Sequence, residues 1–142
     1  TVFNLNADGA GYNDVSIVTI FGYDKVEGID LLEKGSAPFD IQVKPDPAPE
    51  QNLFRRSDNF SFAEKGVPAI TFSVGFNAFD EEILKYYHQV TDNPDSIDMN
   101  YLLRYSQAYI HSARLIADEA RVPFWLPGDE HESIGKELYD RK

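Results

Sequence analysis

Apolar and polar positions change their period along this chain, and each change marks an element. Val2, Phe3, Leu5 and Ala7 interleave with Asn4 and Asn6 before Asp8 and the run Gly9-Ala10-Gly11, the pattern of a strand ending in a tight loop. Residues 15–21 (VSIVTIF) form a β-branched run closed by Gly22. Val26, Ile29 and Leu32 then recur at helical spacing as far as Lys34, with Gly35 just beyond. Residues 39–43 alternate as a strand. Ser57 or Asp58 stands where it would cap a short helix through Lys65, which Gly66 ends before a buried strand over residues 68–74. After Asp98, the positions Tyr101, Tyr105, Ala108, Tyr109, Ser112 and Ile116 make one inward stripe of a long helix ending near Ala120. Arg104, Gln107, His111, Arg114 and Asp118 fall on another face, so His111 reads as a solvated surface residue.

Strand, helix, strand, helix-Gly-strand and a closing helix predict an α/β fold with about four strands and two main helices. The proline-rich run 44–50 (KPDPAPE) is a surface connection, because the segments on either side are too short to fold alone. Residues 122–142 carry Pro123, Pro127 and Gly128 and read as a peripheral tail that packs Phe124 and Trp125 on the body before turning polar. His131, inside the acidic run DEHE, reads as solvent-exposed.

Composition narrows the function classes. At 142 residues, 42% hydrophobic and 26% charged, the chain has the makings of one globular core. Its net charge of -11 repels a phosphate backbone, so nucleic acid is not an expected partner, while metal cations and protonated amines suit an acidic surface. No stretch is apolar enough for a membrane span. With no cysteine, thiolate zinc sites and cysteine nucleophiles are excluded, and any metal must be held by His, Asp and Glu.

Three stretches carry candidate chemistry. In Tyr87-His88-Gln89-Val90-Thr91-Asp92-Asn93-Pro94-Asp95, a histidine precedes two carboxylates. His88 fits either a zinc ligand or a hydrogen-bonded loop histidine, and Asp92 or Asp95 fits a helix cap as well as a partner to that imidazole. In Asn6-Ala7-Asp8-Gly9-Ala10-Gly11, a carboxylate leaves a strand beside glycines, which suits an ion site or a plain Asp-Gly turn. The third stretch is the run 55–69 (RRSDNFSFAEKGVPA), whose arginine pair fits a surface ion-pairing feature or a reader of a substrate carboxylate.

The order of these stretches resembles a known family. The run 55–69 is similar to the R-S-D-H-x-x-F-x-x-x-G-I-P-A segment of clan MH zinc aminopeptidases of the bacterial leucyl aminopeptidase and aminopeptidase Y type. The His88 stretch is similar to their Y-H-x-x-x-D-x-x-D element, and N-A-D-G-A-G to their N-L-D-M-I-G strand end. The resemblance spans about residues 1–120 and implies part of a mixed β-sheet flanked by helices. It implies that Asp8 binds one zinc ion and His88 the other, in an exopeptidase that removes N-terminal amino acids from peptides. Ser57, Asp58, Asp92 and Phe54 are the candidates for supporting or substrate-contacting roles.

In the family the remaining ligands and the general-base glutamate precede the N-L-D-M-I-G strand. The chain is thus expected to represent the C-terminal half of the metallopeptidase domain, inactive and unable to retain zinc alone, with the N-terminal half as its missing partner. A half domain of this kind is also expected to expose strand edges and to pair with a second copy. The family further implies a secreted or periplasmic setting. Asn59 departs from the family histidine. Phe54 lies near the place of a tyrosine that stabilises the tetrahedral intermediate, and a rival register would put Asn6 in the Asp position. The departures at Asn59 and Phe54 favour one alternative, a non-catalytic, peptidase-like interaction domain; a single-zinc acyltransferase of the glutaminyl cyclase type, in which fewer ligands are kept, and a plain binding module unrelated to peptidases are the others.

Overall fold

A computed structural model describes residues 1–9 and 11–139. Ala10 of the glycine loop and residues 140–142 of the tail lie outside them. The fold is α/β, built on a four-stranded mixed sheet in the order β1-β4-β2-β3. The strands are β1 (Asn4–Asp8), β2 (Ile17–Phe21), β3 (Gln42–Pro45) and β4 (Ala69–Val74). Strand β4 runs parallel to β1 and antiparallel to β2, while β2 and β3 run parallel.

Pairing fixes which side chains share a face, because side chains alternate along a strand and directly opposed residues point the same way. Asn6 opposes Thr71, Asp8 opposes Ser73, and Thr19 opposes Ser73 from the other side. One face of the central strands is therefore a polar column, although Thr19, Thr71 and Ser73 are all buried. On the opposite face lie Val18, Ile20, Ile70 and Phe72 of the core.

The apolar face is covered by the long helix and its partner. Helix α1 (Ile29–Ser36) follows Gly28, whose positive φ of 88° makes the entry turn. The long helix, here α5 (Met99–Asp118), begins at Asp98, whose carboxylate accepts from the Asn100 and Tyr101 N–H groups. It presents Tyr101, Tyr105, Ala108, Ser112 and Ile116 inward, the stripe legible in the sequence. Tyr105 packs on Phe72 with ring centroids 5.4 Å apart, and its hydroxyl donates to the Phe72 carbonyl at 2.7 Å. The helices α1 and α5 approach so closely that a Cβ on Gly35 would lie 2.2 Å from Ser112 Oγ.

The polar face is covered by α2 (Leu53–Arg56) and α3 (Phe60–Ala63). The sequence predicts a short helix from a Ser57 or Asp58 cap through Lys65. Instead Ser57 is extended, at φ −99° and ψ 161°, and α3 starts at Phe60 with no side-chain cap at Asn59. The third strand also differs from expectation: Pro38 sets a 3-10 turn over Ala37–Phe39, Asp40 takes a left-handed conformation at φ 53°, and β3 begins only at Gln42. A short helix, α4 (Glu81–Leu84), is capped by the Asp80 carboxylate.

The C-terminal segment folds back on the body. Phe124 and Trp125 are buried, Trp125 forms a bridge with Val26, and α6 (Glu132–Leu138) follows. The expectation of an exposed His131 is overturned: it is 6% exposed, stacked on Trp125 at 4.8 Å between ring centroids, with Nδ1 2.9 Å from Asp129 Oδ1. His111 is half-buried rather than solvated, its Nδ1 3.1 Å from the Gly35 carbonyl oxygen and its ring edge-on to Phe39. Among the described residues no helix is long and apolar enough to cross a membrane.

Candidate active site

The polar column of the sheet ends in a cavity of about 270 Å³. Asp8, the last residue of β1, opens into it beside Gly9, and its opposed residue Ser73 lines it from β4. Close backbone approach demands glycine at position 9, where a Cβ would lie 2.6 Å from Val74 Cγ2. The α2 end contributes Leu53, Arg56 and Ser57. The segment after α4 contributes Tyr87, His88 and Asp92, while Phe21, Phe76, Phe79 and Ile83 supply the apolar wall.

Of the residues singled out in the sequence, Asp8, His88, Ser57 and Asp92 thus meet around one cavity. Asn6 does not join them: its Nδ2 donates to Thr71 Oγ1 at 3.1 Å, inside the polar column. Asp58 is exposed and lines none of the cavities described. Phe54 is buried, packs edge-on against Phe60, and faces a separate cavity of about 400 Å³ with Tyr23, Asp46 and Arg55. It is therefore a core and second-cavity residue rather than a neighbour of Asp8. Neither Asp92 nor Asp95 caps a helix; the turn Pro94–Ser96 is capped by the Asn93 side chain.

His88 sits in an exposed turn with a left-handed backbone, φ 57°. Its imidazole lies flat on the Tyr87 ring, centroids 4.2 Å apart and planes at 14°. Tyr87 also packs edge-on against Phe79 at 5.2 Å. Its hydroxyl accepts from Arg56 Nη2 at 3.0 Å, and Arg56 Nη1 donates to the Gln51 carbonyl at 3.2 Å. Arg55 points elsewhere and pairs with Glu130. Tyr87 and Ser73 are the polar lining residues to which the sequence assigned no role, though Tyr87 stands inside the motif next to His88.

Asn59, at the family histidine position, is fully buried beneath the site. Its Oδ1 accepts from Thr71 Oγ1 at 2.9 Å, and its Nδ2 has no hydrogen-bond partner among the described residues. Asn6, Thr71 and Asn59 thus form one short relay across the polar face of the sheet.

The donor types present suit zinc, which accepts imidazole nitrogen and carboxylate oxygen. Their number does not complete a site: among the described residues no three His, Asp or Glu side chains converge as a metal cluster.

The profile of Peptidase family M28 matches residues 1–113, the region that contains β1 to β4, the cavity and most of α5. No curated protein and no solved structure matches significantly.

Proposed function

Because this chain belongs to peptidase family M28, we propose that it forms part of a zinc-dependent exopeptidase that removes N-terminal amino acids from peptides. The observation that carries this reading is the convergence of Asp8 and His88, from well-separated segments of the matched region, on one cavity at the carboxyl end of β1. In this reading Asp8 gives one carboxylate ligand to the first of two zinc ions and His88 one imidazole ligand to the second. Among the described residues no third His, Asp or Glu joins them in a metal-binding group.

Zinc held there would supply an activated water and polarisation of the scissile carbonyl. Asp8 and His88 fix the rim at which the peptide bond must lie. Phe21, Phe76, Phe79 and Ile83 offer an apolar wall that holds a substrate side chain and keeps water from it. Asp92 lines the same cavity and is a carboxylate of the kind that orients a ligand imidazole or a protonated amine.

The test is metal content and hydrolysis of aminoacyl p-nitroanilides by the full-length protein, with Asp8→Ala and His88→Ala variants. Each substitution is expected to remove about one zinc ion and to abolish turnover. Unchanged metal content in both variants would sink the proposal.

A further inference from the structure

The geometry points to Arg56 and Tyr87 as positioning residues for the His88 imidazole, an inference that rests on the reading of His88 as a metal ligand. His88 has an exposed side chain on an exposed turn, and exposed side chains of this kind exchange rotamers freely. A ligand must instead present one nitrogen in one direction, which metal-binding histidines usually achieve through a hydrogen bond from the other ring nitrogen. No hydrogen bond involving the His88 ring is present among the described residues. What holds the ring is the Tyr87 face, parallel to it within 14° at 4.2 Å.

Tyr87 is in turn held from two sides. Phe79 meets it edge-on at 5.2 Å, and Arg56 spans it with a hydrogen bond to its hydroxyl and a guanidinium 5.7 Å from its ring centroid. Arg56 itself is anchored to the Gln51 carbonyl, so the clamp is tied to the turn before α2. The arginine of the R-S-D stretch and the tyrosine of the Y-H stretch, 31 residues apart, are one device. This use of both guanidinium arms also makes Arg56 a poor free reader of a substrate carboxylate.

Two measurements on the full-length protein test the clamp. In proton NMR, the wild-type His88 ring protons are expected upfield of a free imidazole because they lie over the Tyr87 face. Arg56→Gln and Tyr87→Leu should return them towards the free position, and Tyr87→Phe, which keeps the ring but loses its tether, should give an intermediate shift. In zinc titration, Arg56→Gln and Tyr87→Leu should each weaken affinity about 10- to 100-fold, the range seen when the supports of a metal ligand are removed. Arg56→Lys, which keeps the charge but not the planar fork, should recover little of it. Ring shifts or zinc affinity that stay at wild-type values in Arg56→Gln and Tyr87→Leu, while His88→Ala loses zinc, overturn the clamp alone. Zinc affinity unchanged in His88→Ala overturns the ligand reading instead, and the ring shifts then still decide whether the clamp exists.

Discussion

The indole N–H of Trp125 donates to the carbonyl oxygen of Gly66 at 3.0 Å, joining the C-terminal segment to the turn that leads into β4. Gly66 has φ +82°, and a Cβ there would lie 2.7 Å from the Gly135 nitrogen, so backbone meets backbone at this join. Trp125 is 1% exposed and also covers His131. Trp125→Ala is expected to cost about 3–5 kcal/mol, the range for truncating a buried large aromatic. Urea denaturation of the two proteins checks it.

Tyr101 carries two backbone groups on one hydroxyl: it accepts from the Gly75 N–H at 2.7 Å and donates to the Ile17 carbonyl at 2.9 Å. Burial pushes its phenol up to about 12, so the hydroxyl stays neutral and able to donate across the ordinary pH range. Tyr101→Phe keeps the ring and strands both partners. A loss of about 1–3 kcal/mol is expected, read as a lower denaturant midpoint at unchanged slope.

Gly35 is where α1 and α5 touch. Gly35→Ala would push a methyl group into Ser112, against both its Oγ and its backbone. The general helix preference for alanine over glycine is outweighed by this overlap, and a net loss of about 1–3 kcal/mol is expected. Thermal unfolding that shows Gly35→Ala more stable than wild type would contradict the close packing.

Asp129 governs acid sensitivity at the tail. Burial opposes its ionisation, but the His131 amide and ring and the Lys25 ammonium outweigh that and hold the carboxyl below its usual range. A depressed carboxyl contributes stability that is complete above the unfolded value of about 3.9 and is lost as the pH falls towards the folded one. Asp129→Asn should therefore flatten the stability profile below about pH 4, and the difference from wild type should be largest at neutral pH. Unfolding midpoints measured from pH 2 to 7 check both features.

How much of this was legible in the sequence differs from place to place. The stripe of α5 and the β-branched run of β2 could be read because burial imposes a period on them. The meeting of Asp8 and His88 was read from motif order, which carries no distance. Ser57 could not be placed, since its extended backbone comes from docking α2 and α3 separately on the polar column. His131 misled for a related reason: its acidic neighbours Asp129, Glu130 and Glu132 suggest a solvated run, but Lys25 and Arg55 from distant segments pair with Asp129 and Glu130. Only folding brings those cations near. Nor could the antiparallel setting of β4 against β2 be read, because a short buried strand has the same pattern in either direction.

Strand β4 puts Thr71 and Ser73 towards Asp8, and Ile70 and Phe72 towards α5. One parity sets both choices. A slip of a single residue in its pairing would invert it, aiming Phe72 at the cavity and two hydroxyls at the tyrosines of the long helix. Selection for a dry core and selection for a wet pocket therefore constrain the same frame, so this strand cannot tolerate a one-residue insertion that either demand alone would also reject.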